Sequence, residues 1–299
     1  MNILITGANS GIGFSAAMAI AKAKPTATIY LGCRNPERGQ EALRRLKEAA
    51  PQSQILFDLP LDLSDLQSIQ RFSNDLKSKV KHLDILINNA GVMGIPRRQT
   101  TPQGFEQQFG TNHLGHFALT SHLMPLLLKS PNGIPRVVTV SSIYAQKGKV
   151  RIDDFGYEKG YKPYGAYADS KLANLVFAKE LQRRAQKANV KLLSVCVHPG
   201  YTATNLQTSG TEYPRWLVST LNKMFAQSEE QGCLPTLYGA FEEAAMPGGF
   251  YGPDGRWELQ GKKVKEAKTN PLALDEELAR KQWEASAKAV GVSEDFFKP

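Results

Sequence analysis

Thr6-Gly7-Ala8-Asn9-Ser10-Gly11-Ile12-Gly13 decides how the chain is read. It follows a short apolar run, Ile3-Leu4-Ile5, that reads as a buried strand. It precedes an amphipathic segment, Ser15 to Lys24, that reads as a helix. Glycines at such a junction permit a tight turn and close approach of main chain to a ligand. The helix N-terminus offers free N–H groups and a positive dipole end, which suits a pyrophosphate. The candidate contacts are Gly7, Asn9, Ser10, Gly11, Ile12 and Gly13. The spacing is G-x-x-x-G-x-G, not the commoner G-x-G-x-x-G, and an ordinary glycine-rich turn competes with the dinucleotide reading.

Outward from this loop, apolar runs alternate with amphipathic segments. Strands are expected at Thr28 to Leu31, Ile55 to Leu61, Leu83 to Ile87, Val137 to Val140 and Leu192 to Val197. Asn35-Pro36 opens a helix running to about Ala50, and Ser64-Asp65 caps one ending near Val80. This alternation predicts an α/β fold: a single doubly wound parallel-sheet domain of Rossmann type, with helices on both faces. Residues 1–299 read as one domain, with a loose stretch at about 201–227 and a C-terminal extension at about 256–299. The Gly/Pro-rich stretch Pro247 to Gly255 reads as an excursion, and Leu274 to Val290 as a surface helix with a Leu/Trp stripe.

Composition narrows the classes. Hydrophobic residues are 41% and charged residues 22%, near the globular average, so disorder is not the dominant state. The net charge of +9 suits an anionic partner without choosing one. No basic–aromatic groove pattern accompanies it, so no nucleic-acid partner is expected. Cys33, Cys196 and Cys233 rule out a disulfide scaffold and show no metal spacing. With no apolar run of about 18 residues and no signal-peptide pattern, the expectation is a cytoplasmic protein without a transmembrane segment.

Position 34 lies 21 residues beyond Gly13, where NAD-binding folds place an acid for the ribose 2′-OH. Gly32-Cys33-Arg34-Asn35 has no acid there. Arg34 could grip a 2′-phosphate, which favours NADP(H); a solvated strand-end arginine is the alternative. Asp62, with Leu63 beside it, could accept from adenine or cap the next helix.

Further motifs join the set: Asn88-Asn89-Ala90-Gly91, Asn112-His113-Leu114-Gly115-His116-Phe117, Ser141-Ser142, Tyr167-Ala168-Asp169-Ser170-Lys171 and His198-Pro199-Gly200. Together they resemble the short-chain dehydrogenase/reductase family, from residue 1 to about 250 and more loosely to the end. The detail is most similar to the retinol-dehydrogenase-like branch. Light-dependent protochlorophyllide reductase shares that branch, but its pattern has cysteine after Pro-Gly, where Tyr201 stands here.

The resemblance implies Asn112, Ser142, Tyr167 and Lys171 as catalytic residues. Tyr167 and Lys171 are four apart, on one face of a predicted helix. A nearby ammonium would lower the phenol's pKa, so that Tyr167 could serve as general acid and base. The family pattern assigns the substrate oxygen to Ser142, with Ser141 facing backbone or solvent. It gives Asn112 a water-mediated relay to Lys171, and Lys171 a second role on the nicotinamide ribose. It places Asn88, Asn89, Ala90 and Gly91 along the cofactor, and Pro199, Gly200, Thr202 and Thr204 near its amide and pyrophosphate. Tyr144, Tyr157, Tyr161 and Tyr164 could simply pack a surface loop. His113 and His116 read as structural rather than metal-ligating, and no metal is expected.

Arg215 to Phe225 is apolar at mostly helical spacing. It could be a lid for a lipophilic carbonyl or alcohol, a membrane-surface contact, or core packing. The expected function is NADP(H)-dependent oxidoreduction of a small-molecule substrate, retinal-like or another aldehyde or ketone. The alternatives are a protochlorophyllide-reductase-like enzyme and a non-catalytic NADP-sensing protein. A homo-oligomer is compatible with the family.

Overall fold

A computed structural model describes residues 1–131, 133–202 and 227–298. The expected fold class holds. Strands β1 (Asn2–Thr6), β2 (Thr28–Gly32), β3 (Gln54–Leu56), β4 (Ile85–Asn88), β5 (Arg136–Val140), β6 (Leu193–Val197), β7 (Phe250–Pro253) and β8 (Val264–Glu266) form one sheet. Its order is β3-β2-β1-β4-β5-β6-β7-β8. All neighbours pair in parallel except β7 and β8. Strand order reverses between β1 and β4, so a crevice opens at their carboxyl ends, where such sheets bind ligands.

Residue alternation explains the two layers. Leu4, Leu86 and Val137 point to one face, against α3 (Leu66–Lys79), α5 (Gly115–Leu127) and α6 (Pro163–Lys187). Ile3, Ile5, Ile85, Ile87 and Val138 point to the other, against α1 (Gly11–Ala23), α2 (Pro36–Ala49) and α7 (Leu234–Phe241). The helix starts follow local chemistry. Asn35 Oδ1 accepts from Arg38 N at 2.8 Å, with Pro36 in the first turn. Asp65 rather than Ser64 caps α3, accepting from Gln67 N at 3.0 Å.

Several boundaries differ from expectation. Helix α1 begins at Gly11, not Ser15, so Gly13 lies in its first turn, where a Cβ would lie 2.4 Å from Gly7 O. The expected strand to Leu61 stops at Leu56. Beyond it the edge strand leaves the ladder ahead of Pro60, and Leu61 N donates instead to Cys33 O at 2.9 Å. The Pro247 to Gly255 stretch is no excursion, since β7 extends the sheet beside β6. Glycine suits position 252 of that strand because a Cβ would come within 2.0 Å of His198 Nε2. The final helix, Glu276–Val290, is also more than a surface element. Trp283 is 2% exposed and stacks on Phe177 of α6 at 5.6 Å between centroids.

Ahead of α5 lie a single turn, α4 (Gln107–Phe109), and a π-helical turn, Gly110–Leu114, which contains Asn112. No periodicity in the sequence announced this turn.

Candidate active site

Four strand ends supply the site. Thr6 ends β1, Asn88 ends β4, Ser141-Ser142 follows β5, and His198-Pro199-Gly200 follows β6. Helix α6 brings Tyr167 and Lys171 to the same region. Lys171 Nζ lies 5.8 Å from the Tyr167 ring and donates to Val140 O at 3.1 Å. Ser142 hydrogen-bonds the Tyr167 hydroxyl. Ser141 turns away, donating to Lys171 O at 2.6 Å, as expected of a residue facing backbone.

Asn112 is buried and fixed on both sides. Its Oδ1 accepts from Val92 N at 2.8 Å, and its Nδ2 donates to Val92 O and to Ser170 Oγ, each at 2.9 Å. A Cβ on Gly91 would lie 3.2 Å from Asn112 Oδ1 and 3.4 Å from Lys171 Nζ. Gly91, Asn112 and Lys171 therefore converge on one point.

Burial controls the electrostatics. It pushes the Tyr167 phenol up to about 12, against the Ser142 hydrogen bond, which favours the phenolate. It pulls Lys171 down to about 8. Contrary to the expected lowering, the phenol stands above its ordinary value, with desolvation the largest influence both on it and on Lys171.

The glycine-rich loop after β1 has the backbone its glycines suggested. Gly7 and Gly11 hold φ of 67° and 61°. Thr6 Oγ1 accepts from Asn89 N and Ala90 N, each at 2.9 Å, and Asn89 Nδ2 donates to Thr6 O at 2.8 Å. These bonds tie the β4 loop to the β1 loop. Ser10 and Ile12 flank the opening of α1, and Arg34 is exposed beyond the end of β2. Asp62 Oδ1 is engaged by Ser64 N at 2.9 Å and Ser64 Oγ at 2.7 Å, beside Leu63. Thr202 Oγ1 donates to Pro199 O at 3.0 Å, and Gly200 has φ of 70°. Thr204, most of the expected lid and the apolar Arg215 to Phe225 stretch lie outside the described residues.

Other side chains at the site carried no role in the sequence reading. Tyr144 meets Tyr167 edge-on at 5.7 Å and stacks on Tyr164 at 6.1 Å, so these two are more than loop packing. Asp169 accepts from Tyr157 Oη at 2.5 Å, Lys149 N at 2.7 Å and Arg151 Nε at 3.2 Å, pinning the long insert to α6. Glu258 Oε2 lies 3.1 Å from His198 Nε2, and Tyr201 N donates to Leu259 O at 2.6 Å. The C-terminal extension therefore braces the Pro199-Gly200 loop. Position within the Tyr-x-x-x-Lys motif could have flagged Asp169, whereas nothing local could have flagged Glu258.

A profile of the short chain dehydrogenase family matches residues 1–214. The chain belongs to this family. It is 35% identical to human retinol dehydrogenase 14, over 97% of this chain and 86% of the relative. It is 36% identical to mouse retinol dehydrogenase 12, over the same shares. An uncharacterized protein from Mycobacterium paratuberculosis has a similar structure: TM-score 0.79, 36% identity, 98% of this chain and 94% of that one. A chain from Shigella flexneri solved in complex with NADP gives a TM-score of 0.62 at 27% identity, covering 83% and 95%. The chain is thus a short-chain oxidoreductase by family. Among the described residues no helix is long and apolar enough to cross a membrane.

The two histidines expected to be structural make separate contacts. His113 Nε2 meets Ser286 Oγ of the final helix at 3.0 Å, and His116 bonds Thr6 and Asn112. Burial pulls His113 down to about 3 and His116 to about 4. The unfolded chain protonates both near about 6.5, before the folded chain does. Their contribution is full above about pH 6.5 and is lost as pH falls toward about 4 for His116 and about 3 for His113. Thermal melts are expected to show Tm falling across this window, equivalent to several kcal/mol for the pair, with a shallower fall in His116→Gln. A flat Tm across the window would contradict the buried neutral state.

Proposed function

We propose that the chain is an NADP(H)-dependent enzyme that moves hydride between nicotinamide and a lipophilic carbonyl or alcohol. The carrying observation is the convergence of Asn112, Ser142, Tyr167 and Lys171, all buried, at the carboxyl ends of β4 and β5. The loop above β1 supports a dinucleotide, since Gly7 and Gly11 hold positive φ where the main chain enters α1, whose N-terminus suits a pyrophosphate. The bound cofactor supplies or takes up the hydride.

The remaining work falls to side chains. In reduction, Tyr167 Oη gives its proton to the carbonyl oxygen. A phenol pushed up to about 12 is protonated at neutral pH and ready for that step. Ser142 Oγ donates to the same oxygen as charge develops on it. Lys171 stabilises the phenolate left behind, and Asn112 holds the adjoining segment for the return of a proton. Arg34 supports NADP(H), since an exposed guanidinium there would suit a 2′-phosphate and the Gly32–Asn35 stretch carries no acid. The retinol dehydrogenase relatives support a lipophilic substrate. The buried, unpaired cysteines support a reducing, cytoplasmic setting.

The test is nicotinamide oxidation against aldehydes of rising chain length up to retinal, with NADPH and NADH in parallel. The expected result is NADPH preference of roughly 10–100-fold, the size of one charge-assisted phosphate contact. Rates are expected to climb with chain length. NADH preference would overturn the Arg34 assignment, and preference for short polar aldehydes would overturn the lipophilic substrate. Tight NADPH binding without turnover of any carbonyl or alcohol would favour a sensing role.

A further inference from the structure

We propose that His116 is a positioning residue, held as the neutral Nδ1–H tautomer, that ties the cofactor loop to Asn112. This rests on the reading of Asn112 as part of the catalytic site. The tautomer follows from donor and acceptor chemistry. Asn112 O can only accept, so His116 Nδ1, 2.9 Å away, carries the proton. A neutral imidazole then presents Nε2 as an acceptor. Thr6 Oγ1 lies 2.8 Å from that nitrogen. The hydroxyl already accepts from Asn89 N and Ala90 N, which fills its two lone pairs. Its one proton goes to Nε2 rather than to Ile87 O, which is farther at 3.4 Å.

The chain of bonds is closed. Two amides of the β4 loop donate to Thr6, Thr6 donates to His116, and His116 donates to Asn112. An imidazolium would aim a second N–H at a hydroxyl with no lone pair left. His116 is 1% exposed, and the nearby Lys171 charge further opposes protonation. The bridge joins the end of β1, the loop after β4 and the π turn. It acts at both halves of the proposed site. Ala90 lies on the cofactor side, while the Asn112 side chain bonds Ser170, next to Lys171. A shift in the loop is thereby passed to Asn112 through one imidazole.

The two ring nitrogens can be tested apart. In ¹⁵N-labelled protein at neutral pH, one histidine is expected to show a protonated Nδ1 and a bare Nε2. That pattern should be absent in His116→Asn and His116→Gln. The shorter amide of His116→Asn can occupy the Nδ1 place and keep the bond to Asn112. The longer amide of His116→Gln can occupy the Nε2 place and keep the bond to Thr6. His116→Asn is therefore expected to hold kcat near wild type and weaken NADPH binding, read by fluorescence titration. His116→Gln is expected to hold NADPH affinity and lower kcat by about 10-fold or more, since small misplacements at a reacting centre are that costly. Thr6→Val gives a second spectroscopic reading, a changed Nε2 shift in an unaltered tautomer.

An Nε2–H tautomer, an imidazolium, or an Nε2 shift unmoved in Thr6→Val would overturn the bridge. Equal kcat in the two folded variants would overturn positioning. A wild type that binds NADPH and shows the Nδ1–H signature but turns over no substrate would instead sink the catalytic reading. The bridge would then stand on its affinity effect alone.

Discussion

Tyr167→Phe is expected to lower carbonyl reduction by about 10²–10⁴-fold, the usual contribution of a positioned proton donor. The substitution removes one oxygen and keeps the ring, so the edge-on contact with Tyr144 survives. NADPH affinity should stay near wild type, because the glycine loop and Arg34 are untouched. The reverse reaction adds a signed test. Alcohol oxidation needs the phenolate, so its rate should rise with pH toward the phenol's pKa, raised by burial. Reduction needs the phenol and should not rise with pH. Equal reduction rates in wild type and variant would remove Tyr167 from the mechanism.

Trp283→Ala is expected to destabilise the protein by about 3–5 kcal/mol, the range for emptying a buried aromatic site. The indole lies 4.8 Å from the Phe117 ring and 4.5 Å from Phe296, centroid to centroid, besides its stack on Phe177. Its Nε1 donates to Glu294 O at 2.9 Å, and the Arg184 guanidinium lies 4.7 Å from the ring centroid. The cluster joins the final helix to α5 and α6, the helices that carry His116 and Tyr167. Calorimetry should show a Tm lower by roughly 2–4 °C for each kcal/mol lost, with Trp283→Phe falling less. An unchanged Tm would mean that the final helix is dispensable to the core.

Much of this fold was legible because its strands are buried on both faces and bounded by strong punctuation. Ile3 to Ile5 is a continuous apolar run, and Leu193 to Val197 is buried throughout and broken only by Ser194, as suits a doubly covered parallel strand. Strand β7 escaped notice because Phe250-Tyr251-Gly252-Pro253 uses glycine and proline where a strand normally uses neither. The reason lies in a side chain 54 positions earlier: only glycine leaves room for His198. The candidate catalytic residues were singled out by ordered motifs, but their electrostatics were not legible there. Spacing places Lys171 near Tyr167, yet burial, which no spacing reveals, drives the phenol upward. His116 read as structural because its meaning depends on Thr6, 110 residues away.

The π turn at Gly110–Leu114 sets the phase of everything that follows it. One residue more or fewer in a helix rotates the downstream faces by about 100°. The extra residue lets Asn112 face Val92 and Ser170 while His113 and Phe117 still face the final helix. Removing a single residue here would restore regular winding, and the two sets of contacts could no longer be met together. A change of length in this stretch should therefore be as damaging as a change to the buried side chain of Asn112 itself.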